Sequence, residues 1–565
     1  MTMRQLTPQE IAELTTRGCC AENWSWVTVA EDFDATRLRD VSFYGKIEIG
    51  TMKGTIIVEE GFERRPTISR ATLKDVSIGN GCFIENVGGY IANYNIADGC
   101  YIANTGIISC NGQPTFGNGT TISVLNEGGD GNVVIYDKLT AQIAWLMMHY
   151  PEVRTLAQNE LSLRPQATRG EIGTGCRIVG TKEIVNAYIC PMCEIQGATL
   201  IENATLLSSS DAPTLIGPDV ILENSIVAKG ATVTTGAKVS ESFVGEAVHI
   251  GKGFSSEASL FFANAYMDNG ESCAALCGPF SCSHHKSTLL IGGQFSFYNA
   301  GSGTNQSNHA YKMGPIHWGI LERGAKTASG CHILWPAHIG AFSMVMGKLI
   351  THPRLQNLPF SYILATGEKT YIVPGINLKT VGTWRDINKW PKRDGRPRSA
   401  RRDIVDMEFP NPYIIQFVIA GKELLQSLLQ QQGLDAEEYR FEGCYIKYKA
   451  LIDGIKYYDL ALRLYTAPLP TDQWLDMCGM LSPKKDIDDL VSDINEGELT
   501  TTDEIVEALV THNRHNKYMY TGSQTPEYAE ANEQWLDMIR HDAEREYAMG
   551  DVEEAQLKEF LEKVK

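Results

Sequence analysis

The chain has 565 residues, several times the usual domain length of roughly 100–150, so it holds either several domains or a repeat that grows without a central core. Hydrophobic residues make up 43% and charged residues 21%, an ordinary folded composition, and 52 glycines suit a turn-rich β protein. The net charge is −18, with 23 acids against 9 bases from Thr471 onward, which argues against nucleic acid as a partner, because a phosphate backbone needs basic surface.

No apolar stretch of signal-peptide length follows Met1-Thr2-Met3-Arg4-Gln5-Leu6-Thr7-Pro8, and no window approaches about 18 uninterrupted apolar residues, so neither export nor a membrane span is expected. Fourteen cysteines then read as reduced thiols, which points to a cytoplasmic chain. Residues 1–40 read as a lead-in, with a short helix opening at Thr7-Pro8-Gln9-Glu10.

From Ile78 a period of six emerges. Ile78, Ile84, Ile96, Ile102 and Ile108 fall in step, with Tyr90 in the open slot. The period returns at Ile172, Ile178 and Ile184, and after a one-residue slip at Ile189, Ile195, Ile201 and Leu207. Ile216, Leu222, Val227, Val233, Val239, Val244 and Ile250 carry it on. A β-sandwich would show a period of two instead. The pattern resembles the hexapeptide repeat, which implies a left-handed parallel β-helix. About three hexapeptides close one triangular coil, and each aliphatic residue points inward onto its equivalents above and below.

The expected organisation is mainly β: a first β-helix segment at 41–135, a helical insertion at 136–165, the main β-helix at 166–384, a basic linker at 385–402 and an α-helical C-terminal region at 403–565. Within the insertion, Ala141 to Met148 reads as a helix ending near Pro151, with a second helix over Val153 to Leu161. It either caps the first run or packs beside the solenoid. The basic run, eight Lys and Arg between Arg385 and Arg402, is a solvated linker or a grip for a phosphorylated ligand. Tyr413 to Gln432 and Phe441 to Tyr465 read as apolar-striped helices.

Seven of the twelve histidines lie between Gly278 and His352: His284, His285, His309, His317, His332, His338 and His352. Imidazole titrates near neutrality and can take a proton from an amine or hydroxyl. Within this stretch, Gly278-Pro279-Phe280 and then Gly303-Thr304-Asn305-Gln306-Ser307-Asn308-His309-Ala310-Tyr311-Lys312-Met313-Gly314 resemble the acetyltransferase domain of the bifunctional bacterial enzyme that makes UDP-N-acetylglucosamine. The resemblance implies an acyl transfer from acetyl-CoA or another acyl-CoA to a sugar, nucleotide sugar or other polar small molecule. It makes His309 the general base, with Asn308 and Tyr311 beside it, and implies a homotrimer. Where that family places phosphate-holding arginines, Cys282 and His284 stand here. Phe297 replaces its lysine, and Pro315 its aspartate. His284 and His285 are then candidate anion contacts, and Lys312 and His317 further substrate contacts. The alternative is a non-catalytic scaffold or ligand-binding solenoid, in which His309 caps a turn. The long β-helix with a helical tail also resembles an uncharacterised bacterial family for which no activity is implied.

The γ-class carbonic anhydrases share this architecture and bind zinc through histidines, two of them four residues apart. His309-x7-His317 and His332-x5-His338 lack that spacing, so no metal is expected. Cys190-Pro191-Met192-Cys193 falls inside the repeat and reads as structural rather than redox-active.

Overall fold

A computed structural model describes residues 3–129, 131–308, 317–434, 436–520, 522 and 525–564. The expected mainly β architecture is present: a parallel β-solenoid of about 19 turns, with helices in an insertion and in the C-terminal region. Val233 sits on Ile250 and Ile250 on Met267, so one coil takes seventeen residues here. Ile84, Ile102, Ile178, Ile195 and Ile216 form one continuous interior column, each fully buried. Fully burying an aliphatic side chain contributes about 1.5–3 kcal/mol relative to exposure, and only neighbouring coils provide that burial.

Two interior assignments shift by one residue. Tyr90 is exposed, and Ile91 fills the slot, stacked on Ile108. Leu206, not Leu207, points inward, between Ile189 and Val227. In both places the strand starts one residue off the strict period, which inverts the faces. Asparagines hold several corners in the left-handed region, as at Asn86, Asn104, Asn203 and Asn224 with φ near +50°. Asparagine tolerates this conformation better than most residues. The corner amides also pair between coils, Asn86 to Asn104 at 2.9 Å and Asn203 to Asn224 at 2.8 Å.

The N-terminal helix spans Pro8–Thr16 and is closed by a Thr7–Glu10 capping box. Coil pairing begins earlier than expected, at Cys20–Ala21 and Val27–Ala30 on Leu38–Ile49. The insertion does not cap the first run. Tyr101 pairs with Arg177 and Ile108 with Ile184, so the solenoid closes over the excursion as though it were absent. The excursion already contains the hairpin Thr121–Ile122 and Val133–Val134 before its helices Ala141–His149 and Pro151–Ser162. It packs on an outer face of the solenoid, where Ile226, Phe243, Leu260 and Leu276 point outward on successive coils. Ile487 and Leu490 of helix Lys484–Glu496 and Ile505 and Leu509 of the next helix join the same cluster.

The parallel ladder stops near Tyr362–Thr366, short of the expected 384, because Lys369–Val373 folds back antiparallel on it. Helices Pro412–Gln432 and Tyr448–Leu464 cover that end. The C-terminal region also holds two β-hairpins, 438–447 and 474–483, so Phe441 to Lys447 is strand and turn rather than helix. The basic run is ordered against the solenoid, with Arg396 buried and Lys389 half-buried while its other bases are exposed. Val381–Lys389 is helical and Trp390–Arg393 continues it as a 3₁₀ turn; residues 381–397 lie as a strap along the solenoid. No helix among the described residues is long and apolar enough to cross a membrane.

Candidate functional site

In a strand of two or three residues, one side chain enters the coil and its neighbour faces out. Along one face the outward row reads Thr232, His249, Tyr266, Cys282, Asn299 and Lys326, one per coil. The strap crosses this row and encloses a groove of about 540 Å³. The strap is held from below. Trp390 is buried against Phe297, with ring centroids 4.6 Å apart, and Phe297 stacks on Phe280 at 5.6 Å. Lys326 Nζ meets Asp386 Oδ2 at 2.5 Å. The Gly395 amide donates to Asn264 Oδ1 at 2.8 Å, and buried Arg396 pairs with Asp394 at 2.9 Å and Glu246 at 3.0 Å.

The solenoid wall of the groove is polar. Cys282 Sγ lies 3.0 Å from His284 Nδ1. The His249 ring stacks on Tyr266 at 4.4 Å, and Tyr266 meets His284 edge-on at 6.3 Å. Asp268 is fully buried, with one oxygen 3.2 Å from His249 Nε2 and the other 2.9 Å from Lys252 Nζ. Across the groove, the strap contributes Lys389 and Arg393. Neither forms an ion pair within 4 Å among the described residues. Burial holds the Lys389 ammonium below its usual range; Asp386 opposes that shift, while Arg393 and Arg385 add to it. Burial and the adjacent His285 lower the His284 pKa, favouring neutral imidazole. Burial raises the Cys282 thiol, while Lys389 and Arg393 pull it back down. An anion entering here would relieve the repulsion between strap cations, and apolar rings would flank it.

The sequence-derived candidates separate. His284 lies in this groove, with His285 exposed beside it, ring centroids 4.1 Å apart. Asn308 is buried at a different corner of the coil. Its amide donates to the Glu127 carboxylate, and its carbonyl accepts from the His317 amide at 2.7 Å. His317 lines a separate recess of about 330 Å³ with Trp318, His338 and Arg354. His309, Tyr311 and Lys312 lie outside the described residues. His332 sits on a third face, bridged to Lys348. The described histidines of this stretch thus lie on several sides of a coil, because each face recurs only once per turn. Among the described residues no group of three or more His, Cys, Asp or Glu could hold a metal ion.

A smaller recess of about 250 Å³ lies against the C-terminal hairpin. There Glu322 receives His338 Nε2 at 2.6 Å and the Tyr413 hydroxyl at 2.5 Å. Arg323 binds Asp476 at 2.7 Å and the carbonyls of Asp406 and Gly479 at 3.1 Å. Every donor of this set is used in fastening segments together, which gives it a structural role. Cys193 is interior and Cys190 half-buried, and burial raises both thiols, opposite to the lowered value of a reactive pair.

Sequence reasoning missed Lys252, Tyr266, Asp268 and Trp390. The signal for Tyr266 was a second column, His249, Tyr266 and Cys282, running one place ahead of the interior residues Ile250, Met267 and Ser283.

Fold and groove define a parallel β-solenoid with a helical flank and a strap-covered cationic cleft. The chain belongs to the family described as a domain of unknown function, DUF4954, whose model matches residues 3–429. A second domain of unknown function, DUF6819, matches residues 465–526, across the acidic C-terminal helices. The chain is similar to an uncharacterized protein of Treponema pallidum (strain Nichols), 26% identical over 469 residues, which is 77% of this chain and 62% of the relative. The chain therefore spans less than two thirds of that relative's length.

Proposed function

We propose that the strap groove binds a phosphate-bearing small molecule, and that the chain is a cytoplasmic acyltransferase taking its acyl group from a coenzyme A thioester. The observation that carries the binding is the convergence of Lys389 and Arg393 from the strap with Lys252 and His284 from the solenoid, between the rings of Phe280, Phe297 and Trp390. Lys389 is half-buried without an ion pair among the described residues, and burying an unpaired cation is costly unless a ligand supplies the anion. Phosphates suit the cations, and a nucleotide base suits the flat apolar walls. The acyl-transfer part rests on the resemblance of residues 303–314 to a family that uses acyl-CoA. Replacement of that family's arginines by Cys282 and His284 fits a site in which the strap supplies the phosphate contacts instead.

The test is a ligand-detected melting experiment with coenzyme A, UDP-N-acetylglucosamine and inorganic phosphate. A ligand that binds only the folded state raises the apparent stability by about 2.7 kcal/mol at a hundred times its Kd. Coenzyme A is expected to raise the melting temperature, and inorganic phosphate to raise it less. No shift with any phosphate-bearing compound would refute the reading.

A further inference from the structure

We propose that Cys282 is a nucleophile that accepts the acyl group from a thioester bound in the strap groove, with His284 as its base. This rests on the acyl-CoA reading and gives that reaction a covalent intermediate.

Cys282 differs from the chain's other described cysteines in its surroundings. Most are buried inside coils, where Cys82, Cys100 and Cys176 donate to backbone carbonyls at 3.1 Å. Exposed Cys20 meets only the Ser42 hydroxyl, at 3.3 Å. Burial, with Glu127, Glu257 and Glu271 nearby, pushes the half-buried Cys273 thiol up to about 11. Cys282 opens into a cavity, carries an imidazole nitrogen at 3.0 Å, and faces two cations that favour its thiolate. A packing role needs neither the cavity nor the base. A neutral imidazole beside a neutral thiol is the resting state from which general-base activation proceeds.

The step balances without an oxidant. His284 Nδ1 takes the Sγ proton as Sγ attacks the thioester carbonyl. The tetrahedral intermediate collapses, the bond from carbonyl carbon to the leaving sulfur breaks, and that sulfur takes the proton from His284. The products are S-acyl-Cys282 and a free thiol. An amine or hydroxyl acceptor then attacks the new thioester, gives its proton to His284, and restores the Cys282 thiol. One thioester replaces another, so the first half is close to thermoneutral. Lys389 and Arg393 hold the donor's phosphates and are not themselves acylated.

The full chain is incubated with acetyl-CoA without acceptor and read by intact mass and peptide mapping. Binding of coenzyme A is measured in parallel by its melting shift. One acetyl group per chain is expected on Cys282, removable by neutral hydroxylamine. Cys282→Ser should keep the coenzyme A shift and lose the label. His284→Gln should slow labelling by about 10²-fold or more, the usual worth of a positioned base. A chain that coenzyme A stabilises but that carries no acetyl on Cys282, or carries it no faster than on Cys20, overturns the nucleophile and leaves the binding reading intact. A chain that coenzyme A does not stabilise overturns both.

Discussion

The solenoid has two halves that differ in what fills them. From Ile84 to Ile250 the interior is a stack of isoleucine and valine. Beyond it two of the three columns take polar residues, Val239 being followed by Ser256 and Ser272 and Met267 by Ser283, while the third stays apolar through Phe261, Cys277, Phe295 and Leu321. There the hydroxyls bond between coils, Ser242 to Ser256 at 3.0 Å and Ser272 to Ser256 at 3.3 Å, and Tyr298 and Thr304 both meet the Thr327 hydroxyl at 2.8 Å. The first half is held chiefly by apolar burial. The second keeps an apolar column with larger aromatic residues and adds small hydroxyl residues, buried ion pairs and the strap packed outside. The groove lies on the second half, where the outer surface carries the chemistry and the interior no longer advertises the repeat.

The sharpest way to break the contrast is Arg396→Ala. It removes the cation between Glu246 and Asp394 and leaves both carboxylates buried beside Asp403. Burial and Asp403 already raise Glu246 to about 7. Loss of a buried partner costs about 3–5 kcal/mol. Hydrogen exchange should show residues 381–406 losing protection while the coils from Ile84 to Ile250 keep theirs. Uniform loss along the solenoid would erase the distinction between halves.

A matched pair of interior truncations sharpens it. Ile184→Ala empties a site stacked between Ile108 and Ile201 and should cost roughly 2–5 kcal/mol. Ser256→Ala removes one hydroxyl from the Ser242–Ser272 chain and should cost about 1 kcal/mol. Denaturant midpoints of the two variants measure the difference, and equal losses would mean that burial does not dominate the first half.

The smallest effect concerns the N-terminal cap. The Arg4 guanidinium, hydrogen-bonded to the Glu10 carboxylate, holds Glu10 down to about 2 against burial. The folded value lies below the unfolded one, so this stabilisation is present above the ordinary glutamate range and fades as pH falls through that range towards about 2. Amide exchange in helix Pro8–Thr16 should rise over that window in wild type and respond less to pH in Glu10→Gln.

How much was legible follows the same division. Aliphatic residues recurring every six positions state the coil outright, and most of the interior up to Ile250 could be read from them. The one-residue errors at Tyr90 and Leu207 arose where an aromatic or aliphatic side chain stood next to the true interior position, so that hydrophobicity alone did not choose between neighbours. The insertion's helices were legible from Thr140, Pro151 and their apolar runs. Its packing was not, because the outward column Ile226, Phe243, Leu260 and Leu276 looks like more interior. Of the site, His284 was legible through the Gly-Pro-Phe segment. The strap was not, since eight bases in eighteen residues look solvated until Trp390 and Arg396 are seen buried. Which histidines share a face depends on coil length, which changes from seventeen residues between Cys282 and Asn299 to twenty-seven between Asn299 and Lys326.

The central claim is that strap and solenoid together hold a phosphate-bearing ligand, and calorimetric titration of coenzyme A into wild type, Lys389→Ala and Arg393→Ala tests it most directly. A hydrogen bond to a charged group is worth about 1.5–3 kcal/mol, so each substitution should weaken binding by roughly tenfold to a hundredfold with the fold's melting temperature nearly unchanged. Affinity that is the same in all three chains would contradict the account and place the ligand, if one binds, elsewhere on the solenoid.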